Sequence, residues 1–284
     1  MSIDVAVLII HGIGSQPPDF ADPAIARINE RLGRMGLYPG RVGWAPVHWA
    51  DVLGGAQRTY LQRAERAGSL GLPWLRRQVV EAFGDAASYQ RVPDDPDCAY
   101  NRIHARITEA LAGLEQAAIV GGEAPPLVVL AHSLGGHIAS NYIWDVQTSG
   151  AVAGSAFTRL HSLAGMITFG CNIPLFSMAR ADARPIRFPA DQLPAGLRPC
   201  ARWTNIYDPQ DVLGYPLKPI NAAYAAAVTE DLAMSVGGWL SGMTPAAHTA
   251  YWSSAPFISV IAERIALLAK TFARDREPRL AAVG

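Results

Sequence analysis

Residues Leu127–Gly136 read LVVLAHSLGG: four apolar residues, a small residue, a histidine, a serine, a leucine and two glycines. Serine is a poor guest at the end of a strand, and a glycine pair is a poor way to begin a helix. The two belong together if the turn between strand and helix has to present the serine. A serine on such a sharp turn stands exposed above the sheet, and small residues two before it (Ala131) and two after it (Gly135) let neighbouring backbone approach. Gly136 gives the following helix room to come close to the strands. At the start of that helix the backbone N–H of Leu134 would face a developing oxyanion.

Working outward, short apolar runs alternate with helical patterns. Val5–Ile10 (VAVLII) and Leu127–Leu130 are near-continuous apolar runs, as expected for strands buried on both faces. Met166–Phe169 and Trp203–Tyr207 follow as strands. Val42–Trp49 is a weaker candidate because of Pro46, and Val228–Val236 reads as strand or helix, with strand preferred. Between them, Pro23–Met35 opens with Asp22 as an N-cap and Pro23 at the first helical position. Residues 99–117 place Ile103, Ile107, Ala110, Leu111 and Leu114 on one face, and Phe257, Ile261, Ile265, Leu268 and Phe272 form a stripe on a C-terminal helix. This alternation predicts an α/β fold in a single domain over residues 1–284: a mostly parallel sheet with helices on both faces. Residues 50–98 hold helical segments and no strand, which predicts a helical insertion. Five arginines (Arg58, Arg63, Arg66, Arg76, Arg77) against Asp51 and Glu65 suggest a solvated cap face. A sharper reading makes this a flap that meets an anionic or lipid surface through Leu70, Leu72, Pro73 and Trp74.

Composition narrows the function classes. The 284 residues are 50% hydrophobic, enough for a large core, and 24 basic against 24 acidic side chains leave no net charge. No basic excess points to a nucleic-acid partner. Three cysteines, Cys98, Cys171 and Cys200, make neither a disulfide framework nor a metal-ligand spacing. The N-terminal apolar run of VAVLII is too short for a signal sequence or a membrane span, so a cytoplasmic location is the expectation.

The serine needs partners. His11-Gly12-Ile13-Gly14 follows the first strand, but Pro17 stands where a dinucleotide fingerprint needs its third glycine. The loop is either a tight turn or a means of bringing the Ile13 N–H beside Ser133 as a second oxyanion donor. A serine hydroxyl becomes nucleophilic through a histidine that a carboxylate orients, in the chain order Ser, acid, His on this kind of turn. Of seven histidines, only His248 lies beyond the last clear strand and its acidic loop. For the acid, YDPQDVLG offers Asp208 and Asp211. Asp208 precedes a proline and suits the first position of a turn, whereas Asp211 follows the turn and is anchored by Val212 and Leu213, which favours Asp211. His132 is expected to point away from the nucleophile, His137 to pack its helix, and His11 to support the loop. His48, His104 and His161 carry no pattern.

With HGIG, AHSLGG, YDPQD and AAHTAYW in this order, the chain resembles the α/β-hydrolase superfamily, most nearly its compact lipase- or esterase-like members. Ala131 stands where the family usually has glycine, and the two antiparallel strands that usually precede the HG strand are missing, so the sheet is expected to hold about six strands. The resemblance implies Ser133 as nucleophile, His248 as base, Asp211 as its orienter, and the Ile13 and Leu134 N–H groups as oxyanion hole. It implies cleavage of a carboxylic ester, from a small molecule or a lipid, through an acyl-enzyme and with no metal or organic cofactor. Thioester cleavage and acyl transfer would use the same residues. A non-catalytic member that binds a ligand or partner is the competing class.

Overall fold

The computed structural model describes residues 2–68, 71–119, 123–148, 154–179, 182–237 and 248–281. The apolar runs form strands β1 (Val5–Ile10), β2 (Val42–Val47), β3 (Leu127–His132), β4 (Leu163–Phe169), β5 (Arg202–Tyr207) and β6 (Glu230–Ala233). They make one open sheet in the order β2-β1-β3-β4-β5-β6, and every neighbouring pair is parallel.

Helices cover both faces, which explains why β1, β3 and β4 are buried along their whole length. The pleat divides β1 cleanly. Ala6, Leu8 and Ile10 pack with Ile103, Ile107 and Leu111 of α4 (Ala99–Ala118) and with Ile138 and Tyr142 of α5 (Leu134–Thr148). Val5, Val7 and Ile9 face the other way. They join Ile28 and Leu32 of α1 (Asp22–Arg34) and Ile261, Ile265 and Phe272 of α8 (Ala255–Ala281). All five members of the α8 stripe are buried, each worth about 1.5–3 kcal/mol relative to exposure. Ala110 of the α4 face is only partly buried.

The edges depart from the expectations, for physical reasons. β2 ends at Val47 rather than Trp49, and Pro46 stands opposite Ile9. A proline lacks the N–H for a second ladder, so it is tolerated on an edge strand with a single neighbour. The segment 228–236 contributes only the four residues of β6, and its polar, half-buried EDLA explains the ambiguous pattern. Asp22 is not the N-cap: Ala21 holds that position without a side-chain bond. Asp22 is the first helical residue, where its charge complements the helix dipole.

Between β2 and α4 the chain forms α2 (Ala50–Ala67) and α3 (Pro73–Ser88), with no strand among the described residues of 50–98. Only the first turn of α2 is buried, through Val52, Leu53 and Gly54. The five arginines are exposed, as a solvated face requires, and Leu72 is exposed with them. Leu70, and the side chains of Pro73 and Trp74, lie outside the described residues. The short helices α6 (Ile173–Ser177) and α7 (Ala222–Ala227) complete the layer beside α5.

The order of the strands locates a site. The chain winds from β1 to β2 on one side and continues through β3 to β6 on the other. Ligands of open parallel sheets bind above the carboxyl ends of the strands where the winding reverses. Here that crevice lies between β1 and β3, whose following residues are the HGIG loop and Ser133.

Candidate active site

Ser133 immediately follows β3 with φ +53°, a left-handed conformation that costs a non-glycine residue roughly 1–2 kcal/mol. The turn is overdetermined by its neighbours. The Ser133 N–H donates to the Phe169 carbonyl at 3.0 Å, and the Gly136 N–H donates to the Ser133 carbonyl at 2.9 Å. A side chain on Gly136 would lie 2.6 Å from the Cys171 sulfur, and one on Gly12 2.6 Å from Ser133 Cβ. At Gly135 a Cβ would collide with the His11 carbonyl and come within 2.6 Å of the Ile10 carbonyl oxygen. Gly12 and Gly135 are therefore the contact surface between the serine turn, β1 and the HGIG loop, and Gly136 the one towards the end of β4.

His248 and Asp211 come to this serine. Ser133 Oγ lies 2.7 Å from His248 Nε2, and His248 Nδ1 lies 2.9 Å and 3.1 Å from Asp211 Oδ2 and Oδ1. All three residues are buried; Ser133 is only 1% accessible, so it does not stand exposed above the sheet as its turn suggested, but is covered by its neighbours. The carboxylate also accepts the Tyr251 O–H at 3.0 Å and the Leu213 N–H at 3.0 Å. Burial pushes the Asp211 carboxyl up, but the hydrogen bond and charge of His248, with Leu213 and Tyr251, outweigh it and hold it below the usual range. An ionised acceptor at Asp211 places the imidazole proton on Nδ1 and leaves Nε2 open to the serine proton.

Asp208 does something else. Its Oδ1 accepts the Gln210 N–H at 2.9 Å and its Oδ2 the Val236 N–H at 2.8 Å, so it closes the turn and ties down the chain beyond β6. Its own N–H donates to the Tyr251 hydroxyl at 2.8 Å.

On the other wall, Gly12 abuts Ser133, Ile13 packs against the core, and Leu134 opens α5. The Trp49 N–H donates to His11 Nε2 at 3.0 Å, which puts the His11 proton on Nδ1, where it donates to the Gly12 carbonyl at 2.7 Å. The two rings stack at 4.7 Å. His11 is thus a neutral brace for the loop. His132 does not bond the serine but donates from Nε2 to the His248 carbonyl at 2.7 Å, its ring 4.8 Å from that of His248. His137 stacks on Phe176 at 4.0 Å. No group of three or more His, Cys, Asp or Glu side chains able to hold a metal occurs among the described residues.

Comparison with known protein families finds no match, and comparison with curated proteins finds none. The chain is an α/β protein with an open, parallel six-stranded sheet. No helix among the described residues is long and apolar enough to cross a membrane.

Sequence reasoning missed the roles of Tyr251 and Trp49 and the contact of Asp85 with the HGIG loop. The Gly14 N–H donates to Asp85 Oδ2 at 2.8 Å, from 71 positions away. An aspartate within a helical stretch looks like a surface acid, and nothing local distinguishes it.

The buried His11 and His132 and the partly buried His104 and His137 carry a prediction. Burial lowers His11 and His137 to about 4, and His104 and His132 to about 3. The unfolded chain, with histidines near 6.5, therefore binds more protons as the pH falls below that value. Stability is complete above about pH 6.5 and drains away toward pH 4, by at most about 1.4 kcal/mol per pH unit for each histidine. Asp4 and Asp85, raised by burial, act in the opposite sense from lower pH. Urea midpoints at pH 7.5, 6 and 5 are expected to fall in that order, and a flat series contradicts the assignment.

Proposed function

We propose that the protein is a serine hydrolase of the α/β-hydrolase type that cleaves a carboxylic ester through an acyl-enzyme. The observation that carries this reading is the hydrogen-bonded line Ser133–His248–Asp211 ending on a strained turn. A binding protein has no use for a backbone strain that exposes a serine hydroxyl to an oriented imidazole. The position of the line at the reversal of the sheet's winding supports the same reading.

The chemistry follows from the atoms. Ser133 Oγ attacks the ester carbonyl as His248 Nε2 takes its proton, and Asp211 stabilises the resulting imidazolium. The carbonyl oxygen becomes an oxyanion beside the backbone N–H groups of Ile13 and Leu134. As the tetrahedral species collapses, the C–O bond to the alcohol breaks and His248 returns its proton to the leaving oxygen. Water, deprotonated by His248, then attacks the acyl-Ser133 ester, and the serine leaves with the proton. Neither step needs a redox partner. The substrate is an ester of a small molecule or lipid, and a thioester would react by the same route.

A fluorophosphonate requires an activated serine. Labelling followed by peptide mapping is expected to place one phosphonyl group on Ser133, with parallel loss of nitrophenyl ester turnover. Label on a different serine, or turnover that survives complete labelling of Ser133, sinks the reading.

A further inference from the structure

Asp85 is a buried carboxylate on a helix that is mostly exposed. It is 4% accessible, while Arg76, Arg77, Val79, Phe83, Ala87 and Ser88 of the same helix face solvent. Both of its oxygens are used: Oδ2 accepts the Gly14 N–H at 2.8 Å and Oδ1 the Gln57 side-chain N–H of α2 at 2.7 Å. One turn earlier, Glu81 accepts the Ser15 hydroxyl at 3.1 Å. Burial pushes the Asp85 carboxyl up, and the Gly14 and Gln57 bonds offset only part of that. Burying a carboxylate costs free energy unless it is well paired, so packing alone gives no reason for an acid here.

The HGIG loop supplies one. Its first glycine is wedged, since a Cβ on Gly12 would lie 2.6 Å from Ser133 Cβ. Its second glycine is not. Gly14 has φ +95° and open space around a would-be Cβ, so no close contact wedges it there; its carbonyl accepts the Gln16 N–H at 2.9 Å, and its N–H is held by Asp85. Ile13 sits between the wedge and the open end. A peptide that must point its N–H at a reacting oxygen within a few tenths of an ångström needs both ends held.

We propose that Asp85 is a positioning residue for the oxyanion hole: from α3 it ties the Gly14 N–H and so sets the direction of the neighbouring Ile13 N–H beside Ser133. The inference rests on the hydrolase reading above. Asp85 touches no reacting atom, and it makes the helical segment 50–88 part of the catalytic loop's support.

The test separates acceptor from charge. Asp85→Ala removes the acceptor and frees Gly14. Asp85→Asn keeps an oxygen for the Gly14 N–H, while Gln57 turns its amide to meet the new NH₂. Full loss of an oxyanion donor costs about 10²–10³ in kcat. For a donor displaced rather than removed, Asp85→Ala is expected to lower kcat on nitrophenyl esters by about 10- to 100-fold with KM within about 2-fold. Asp85→Asn is expected to restore kcat to within about 3-fold of the unmodified protein. Hydrogen exchange of a peptide covering residues 11–16 is expected to speed up in Asp85→Ala and return in Asp85→Asn. Unchanged kcat in folded Asp85→Ala overturns the proposal, as does an Asp85→Asn protein no better than Asp85→Ala. If Asp85→Ala does not fold, Asp85→Glu moves the carboxylate by one methylene. A kcat loss at constant KM then supports the proposal, and unchanged kcat overturns it. If the unmodified protein shows no Ser133-dependent turnover, the hydrolase reading is wrong and this proposal falls with it. If turnover is present and insensitive to position 85, only this proposal falls.

Discussion

Asp211→Asn is expected to reduce ester turnover by about 10⁴ with only a modest fall in melting temperature, from the lost Tyr251 O–H acceptor at Oδ2. The figure is that of the corresponding change in a serine protease, where the imidazole adopts the wrong tautomer. On the hydrolase reading proposed above, the same exchange applies here. Asp211 Oδ2 faces His248 Nδ1 at 2.9 Å, and Oδ1 accepts the Leu213 N–H at 3.0 Å. The asparagine oxygen keeps Leu213, so its NH₂ replaces Oδ2 and donates to Nδ1. The ring proton then sits on Nε2, against the Ser133 hydroxyl at 2.7 Å, and the base is occupied. Asp208→Asn gives the contrasting result. Both of its oxygens accept backbone N–H groups of Gln210 and Val236, so an amide leaves one buried N–H facing another donor, at about 1–3 kcal/mol. That variant is expected to melt lower and to keep much of its turnover. Rates and melting curves on the two proteins decide. If Asp208→Asn is the inactive one, the acid is Asp208.

Gly135→Ala is expected to be strongly destabilising, because among the described glycines its new Cβ meets backbone rather than a flexible side chain at the shortest distance. The new Cβ would meet two backbone carbonyls of the β1 end, those of His11 and Ile10. Backbone held in a parallel ladder on both sides cannot give way as a side-chain tip can. Overpacking typically costs 1–3 kcal/mol, and about 3 kcal/mol or more is expected here. The displaced α5 would also carry Leu134 away from its place beside Ser133. Gly113→Ala is the matched control. It lies within α4 with nothing within 4 Å of the added methyl, so the exchange is expected to be neutral or to stabilise by about 0.4–1 kcal/mol. The denaturant midpoint is expected to fall in Gly135→Ala and to stay level or rise in Gly113→Ala. Equal shifts would show that contact with β1 is not what reserves position 135 for glycine.

The sequence by itself determined the pieces whose signals are local. Continuous apolar runs at Val5–Ile10 and Leu127–Leu130 demand strands covered on both faces, because every residue of such a run needs an apolar neighbour. The stripes on α4 and α8 demand helices, because 3.6 residues per turn brings Ile103, Ile107 and Leu111, or Phe257, Ile261 and Ile265, onto one side. The serine with its glycines marked a sharp turn, because the apolar run before it and the helical run after it leave a short break between strand and helix. What remained open depended on distance through space. His248 meets Ser133 across 115 positions and Asp211 across 37. Asp208 and Asp211 share one turn, so only the packing of Tyr251 and the end of β6 decides which carboxylate turns to the imidazole. The edge strands were blurred for a related reason: β2 and β6 each have a single neighbour, so proline and polar residues are tolerated and the pattern weakens. Asp85 was invisible altogether. It bonds Gly14, 71 residues earlier, and a helix that exposes Val79 and Phe83 as well as Arg76 and Arg77 has no periodic pattern to mark an acid that turns inward. Periodicity is written along the chain, but the pairing of polar groups is decided by the sheet order that brings β1 and β3 side by side.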